Sequence, residues 1–332
     1  IGPNGAGKST LFNCITGTLH PDEGRVSLHG TDITGMPEHV IARNGLGRLF
    51  QHTRIFGEMS VVKNMLVGQA IAESAAIFAL VVAIVLLFSQ PEVVTALTAW
   101  SAIGAGLAMG LSAIGSGLGS GMPGGAACRG LVRQPGNRGR IQTTMLIGSA
   151  VAQTPAIFGM VTAFLLIFLD FSDIPAYPGW AAMLGAGLGT GLAAIGSGVG
   201  NGFTAEEAVD GIARNPEAAK DTTRLMLIGM SVGQSTTIYG FLVSLLLIFF
   251  GFAADTSLSA SMKLLGAGLS SGFGGIGPGI GLGLVAAGAV KWVARNQETT
   301  GVLTRTMLVG MAVTESTSIY ALIVSLLLIV VF

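Results

Sequence analysis

One membrane-length helix is written four times in this chain, and only two of the copies carry an acid. The segments are Ala70-Ile-Ala-Glu73-Ser-Ala-Ala-Ile-Phe78, Ala150-Val-Ala-Gln153-Thr-Pro-Ala-Ile-Phe158, Ser231-Val-Gly-Gln234-Ser-Thr-Thr-Ile-Tyr239 and Ala312-Val-Thr-Glu315-Ser-Thr-Ser-Ile-Tyr320. The polar position recurs at 73, 153, 234 and 315, each time within a long apolar stretch. A carboxylate placed there must be neutralised or hold a cation, so this position points to function.

The apolar stretches run over 65–88, 99–128, 141–170, 179–210, 222–253, 261–292 and 303–332. Each exceeds the ~20 residues needed to cross a ~30 Å hydrocarbon core, which predicts seven spans. Only 10% of residues are charged, and the mean hydropathy is +0.71, as a membrane protein requires. No basic start leads into an apolar core, so no cleaved signal peptide is expected. Cys14 and Cys128 lie in unrelated contexts, without metal-ligand spacing.

The loops fall into two classes. One holds Arg129, Arg133, Arg138 and Arg140, then Arg214, Lys220 and Arg224, then Lys291, Arg295 and Arg305; the other holds Glu92, Asp170, Asp173 and Asp255. The basic loops and residues 1–64 are expected on the cytoplasmic side, in a bacterial or archaeal inner-membrane type of setting. Glu206, Glu207 and Asp210 read as charges at a loop edge, and Lys263 as a side chain snorkelling to the headgroups.

Two helix types alternate. One is striped with glycine, and Gly104, Gly185 and Gly266 recur in register. In water that much glycine disfavours a helix by ~1 kcal/mol per residue, but in lipid every backbone group must pair internally. Glycine at four-residue spacing then allows close helix approach. The other type carries the polar site and ends in a bulky run such as Leu242-Val-Ser-Leu-Leu-Leu-Ile-Phe-Phe250. Glycine helices inside and bulky helices toward lipid is the arrangement these patterns predict.

Glycine helix, polar loop (Arg133-Gln134-Pro135, Arg214-Asn215-Pro216) and a Met-Leu-(Val/Ile)-Gly helix with a central acid follow one another in order. From about 65 to 332 the chain resembles the c subunit, the rotor-ring proteolipid of ion-translocating ATP synthases and vacuolar-type ATPases. The last loop, Arg295-Asn296-Gln297, departs by replacing proline. The resemblance implies an all-α membrane protein of tandem hairpins: a single outer helix at 65–88, then hairpins at 99–170, 179–253 and 261–332. It further implies a ring with other hairpins, a stator a-type subunit at the lipid face, and central-stalk subunits touching the polar loops. No nucleic-acid partner is expected.

Glu73 and Glu315 are then the ion-binding residues, with Ser74, Gln153, Gln234, Ser316, Thr317 and Tyr320 as candidate helpers. Desolvation favours the neutral form of a buried carboxyl, so such a group can load and release a proton. Gln keeps the shape but cannot titrate. Two acids among seven helices lower the number of ions carried per turn, which suits ATP-driven pumping. H+ is the expected ion, with Na+ at Glu315 the alternative. Sodium forms of the family carry Gln on the glycine helix, where this chain has Ser120, Asn201 and Leu282. No other cofactor is required.

Residues 1–64 read differently. Gly2-Pro-Asn4-Gly5-Ala-Gly7-Lys8-Ser9-Thr10 is a Walker A string, whose glycines let backbone N–H groups wrap phosphates while Lys8 and Ser9 reach oxygens and Mg²⁺. Onward to Gln51, the Q-loop position, the sequence resembles the start of an ABC-transporter nucleotide-binding domain of the branched-chain amino-acid type. A truncated α/β P-loop fragment is expected, able to meet ATP/Mg²⁺ at most. Without a signature motif, a Walker B carboxylate or the supporting strand it is not expected to hydrolyse ATP alone. The seam falls where Met65-Leu-Val-Gly68 begins an outer helix, so the first hairpin has exchanged its glycine helix for this piece. An ATP-binding transporter component and a non-functional gene fusion are the alternatives to a rotor subunit.

Overall fold

The computed structural model describes residues 8–17, 19–46, 61–89, 95–171 and 173–330, and divides into two compact units, Ile1–Ile55 and Phe56–Phe332. In the first, α1 (Lys8–Ile15) precedes an antiparallel pair, β1 (Ser27–Leu28) and β2 (Thr31–Asp32), and then α2 (Glu38–Arg43). The Thr34 side chain and the Thr34 N–H, which donates to Asp32 Oδ1 at 2.9 Å, together hold the Asp32 carboxyl below the usual carboxylate range. Gly2, Asn4, Gly5, Gly7 and Gln51 lie outside the described residues, as do the side chains of Lys8 and Ser9; Thr10 is exposed.

The second unit is helical throughout: α3 (Val61–Phe88), α4 (Ala96–Arg133), α5 (Arg138–Ala152), α6 (Thr154–Phe168), α7 (Ala176–Arg214), α8 (Ala219–Gly233), α9 (Ser235–Phe249), α10 (Leu258–Arg295) and α11 (Thr300–Val330). Counting α5 with α6 and α8 with α9, the described residues hold seven helices long and apolar enough to span a bilayer. The protein is an integral membrane protein. Helices α4, α7 and α10 outrun their apolar stretches at both ends; α4 continues through Arg129 to Arg133, because its backbone bonds are as well satisfied past the hydrocarbon as within it.

Glycine decides the layering. Helices α4, α7 and α10 form an inner row with α7 in the middle, its best 18-residue stretch 78% buried against 39% and 44% for its neighbours. A Cβ on Gly198 would stand 2.5 Å from the carbonyl carbon of Gly115, and one on Gly279 would stand 2.5 Å from that of Gly196. Only glycine lets the axes come that close. The bulky helices form an outer row. The pair α5 and α6 rests on α4 and α7, the pair α8 and α9 on α7 and α10, α3 on α4, and α11 on α10. The result is a two-layered row with four outer members and three inner ones.

Two of the three inner helices, α4 and α10, begin on hydroxyl caps. Thr95 and Thr98 form a reciprocal box at the start of α4, and Ser257 Oγ accepts from the Ala260 N–H at 3.2 Å at the start of α10. Asp255 Oδ1 in turn accepts the Ser257 N–H at 2.8 Å, and its carboxyl lies below the usual carboxylate range for that reason. Ser257→Ala is expected to cost about 1 kcal/mol of stability, read as a lower unfolding temperature in detergent.

Candidate functional site

Both acids lie on outer helices at opposite ends of the row, while both glutamines occupy its middle. On α11, Glu315 is half-buried, and Tyr239 of the neighbouring α9 donates its hydroxyl to Glu315 Oε1 at 2.6 Å. This bond fixes one carboxyl oxygen, and no hydrogen bond from the described residues engages the other. Leu282 on the inner helix is fully buried and offers no polar atom. The hydroxyls of Ser316 and Thr317 turn back to the carbonyls of Val313 (2.7 Å) and Thr314 (3.1 Å), and Tyr320 is 64% exposed. None of the three is brought to the Glu315 carboxylate.

At the other end, on α3, Glu73 is exposed and accepts from Gln69 Nε2, one turn earlier, at 3.0 Å. Its neighbour Ser74 donates to Gln153 Oε1, and Gln153 Nε2 donates to the Ile71 carbonyl. Gln153 therefore spends both ends of its amide tying α5 and α6 to α3, and it is buried. A carboxylate at 153 could accept from Ser74 but could not donate to Ile71. Gln234 is half-buried at the end of α8. Nearby Asn201 is 1% exposed, with Oδ1 directed at Gly233, and its side chain has no partner among the described residues; the Ser235 hydroxyl is likewise unpartnered. Ser120, the matching residue on α4, is buried and donates to the Gly117 carbonyl at 3.3 Å.

The acids and the amides also differ in backbone. Helices α3 and α11 run unbroken through Glu73 and Glu315, whereas the outer helices break at Gln153 and Gln234. At the first break Pro155 removes an N–H, and the Ala156 N–H bonds to Ser116 Oγ of α4 at 3.0 Å. At the second, Gly233 closes α8 against Asn201.

The three polar loops share one construction. The amides of Gln134, Asn215 and Asn296 return to Gly130, Gly211 and Trp292 at 2.8–2.9 Å, closing the inner helices. A 3₁₀ turn follows from Pro135, Pro216 or Gln297, and where proline is missing the Asn296 side chain accepts from the Glu298 N–H at 3.1 Å. Asn137 Nδ2 reaches the Ile212 carbonyl at 3.2 Å, and Asn215 Nδ2 the Ala294 carbonyl at 3.0 Å, so the first two loops are each tied to the next inner helix. Arg133 and Arg214 both pair with Asp210, Arg129 pairs with Glu206 at 2.6 Å, and Lys291 with Glu207 at 2.9 Å. The three acids at this loop edge are thus engaged across helices. Arg295 stacks on Trp292, 4.6 Å from the ring centre.

Residues 103–166, 184–247 and 265–328 each match the family of the ATP synthase c subunit, and residues 1–105 match the ABC transporter family. The K subunit of the A-type ATP synthase of Methanocaldococcus jannaschii is 30% identical over 227 residues, 68% of this chain and 94% of that protein. The high-affinity branched-chain amino acid transport ATP-binding protein BraF of Pseudomonas aeruginosa is 55% identical over 69 residues, 21% of this chain. LivG of Escherichia coli, of the same description, is 52% identical over 69 residues. The chain spans only 27% of the length of these two ATP-binding relatives.

Proposed function

The chain belongs to the family of the ATP synthase c subunit, and we propose on that premise that it is a rotor proteolipid carrying ions across the membrane on Glu315 and Glu73. The observation that carries this reading is the Glu315 site: a half-buried carboxyl in the middle of an apolar outer helix, with the Tyr239 hydroxyl of the next outer helix donating to it. The carboxylate takes up a proton, moves through lipid as the neutral acid, and gives the proton up where an aqueous path meets it. Tyr239 orients the group while leaving one oxygen free for the exchange. Hard cations call for several oxygen ligands. Tyr239 is the oxygen donor found beside this carboxylate and Leu282 adds none, which supports H+ over Na+ as the carried ion.

The implied partners are further hairpins that complete a ring, an a-type stator subunit facing the outer row, and central-stalk subunits at the row of loops around Arg133–Pro135, Arg214–Pro216 and Arg295–Asn296. The Lys/Arg content of these loops supports the cytoplasm as the side of those contacts. For residues 1–64 we propose at most ATP/Mg²⁺ contact, on the strength of the Walker A string and the ABC-type match.

A hydrophobic carbodiimide tests the reading. Modification is expected at Glu315, with loss of coupled ATPase activity in the assembled enzyme. An unmodified Glu315 alongside persistent ATP-driven transport would sink it. Protection of Glu315 by Na⁺ but not by K⁺ would reassign the ion.

A further inference from the structure

The three inner helices carry the same four glycines at 81-residue steps, and two of the three sets are occupied. On α7, a Cβ at Gly191 would stand 2.8 Å from the Leu107 carbonyl oxygen, and one at Gly202 would stand 2.5 Å from the Gly119 Cα; Gly187 and Gly198 press on Gly104 and Gly115 in the same way. On α10, Gly268, Gly272, Gly279 and Gly283 repeat those contacts against Gly185, Leu188, Gly196 and Gly200 of α7. On α4 the matching residues are Gly106, Gly110, Gly117 and Gly121, and a Cβ at any of them would meet nothing within 4 Å among the described residues. The same interface is therefore formed twice within the chain, and α4 presents a third socket of it.

The outer row says what kind of helix the socket takes. The two middle outer pairs each cover the seam between their own inner helix and the next one. Gly148 of α5 rests on Ala205 of α7, and Gly229 of α8 rests on Ala286 of α10. Helix α3 makes the corresponding contact, Gly68 against Gly124 of α4, so it already covers the seam at the open socket. A second copy of this chain docking its α10 there would bring its α11 to the place α3 fills. A complete hairpin would meet the same obstruction.

We propose that the open face of α4 receives one glycine-striped transmembrane helix from another polypeptide, inserted as a single span beneath α3 without an outer helix of its own. Its glycines are those that oppose the socket in the two formed interfaces, at the positions of Gly104, Gly115 and Gly119. The proposal goes beyond the carrier reading and stands on the repeat geometry alone, so the two fail separately.

Capture of a peptide in proteoliposomes tests it, using the full chain. The probe is a biotin-tagged peptide of residues 258–295, unchanged in sequence, whose insertion across the bilayer is first verified by oriented circular dichroism. After solubilisation in mild detergent, the full chain is expected to be recovered on the peptide, and recovery is expected to fall at least tenfold with Gly117→Val in the chain. Absence of recovery while Glu315 still reacts with carbodiimide overturns the proposal and leaves the carrier reading intact, and so does recovery that Gly117→Val leaves unchanged. Multimers of the chain that form without peptide and are lost with Gly117→Val also overturn it, because the socket then takes a second copy.

Discussion

Gly198→Val is expected to unseat α7 from α4 and to be among the most damaging single substitutions in the membrane unit. Its Cβ would lie 2.5 Å from the Gly115 carbonyl carbon, and 2.7 Å from both the Gly115 oxygen and the Ser116 nitrogen. These are backbone atoms of a long helix, so no side chain can swing aside. Relief requires the helices to separate along the seam. Overpacking costs ~1–3 kcal/mol where neighbours can adjust, and a rigid backbone places this site at the upper end or above. Gly117→Val is the control, since it makes the same change 81 residues earlier in open space. There the only term is helix propensity, which slightly favours Val over Gly by a few tenths of a kcal/mol. Unfolding in detergent followed by circular dichroism should show a clear fall in midpoint for Gly198→Val and little change for Gly117→Val. Equal midpoints would refute the seam.

Much of this architecture is legible in the sequence, because lipid leaves the backbone few options. Seven apolar stretches had to be helices, and the in-register glycines had to face one another, which places α4, α7 and α10 inside. Position within the row is a different matter. Glu73 and Glu315 are equivalent to Gln153 and Gln234 by repeat, yet the acids lie at the ends and the amides in the middle; that follows only from how many helices flank each copy. The Glu315 donor was hidden for a related reason. Within one copy, Ser316, Thr317 and Tyr320 are the nearby hydroxyls, but the first two bond to carbonyls of their own helix. The partner is Tyr239, 76 residues upstream on the adjacent outer helix. A signal was present, since a tyrosine stands at this position only in the last two copies, Tyr239 and Tyr320, against Phe78 and Phe158. Likewise the Ser74–Gln153 bond joins neighbouring copies, so it answers to the repeat offset and not to local spacing.

Glu315→Gln is expected to abolish ion transport by the assembled enzyme and to remove carbodiimide labelling at this position. Gln retains an oxygen to accept the Tyr239 hydroxyl, so folding should be nearly unchanged and the loss assignable to the missing titratable group. Tyr239→Phe separates orientation from carriage. It removes one hydrogen bond to a charged group, worth ~1.5 kcal/mol at the low end, so turnover should fall by about tenfold while labelling persists. The reciprocal change, Gln153→Glu, adds an acid at a repeat-equivalent position and is nonetheless expected to transport nothing. The amide it replaces donates to the Ile71 carbonyl and holds α3 in place, and a carboxylate there would face that carbonyl oxygen without a proton to offer. Stability of this variant should drop as pH rises through the titration of the new group, followed by thermal unfolding at several pH values. Should Gln153→Glu pump while Glu315→Gln retains full activity, carriage would depend on the middle of the row, and the end positions of the two acids would lose their meaning.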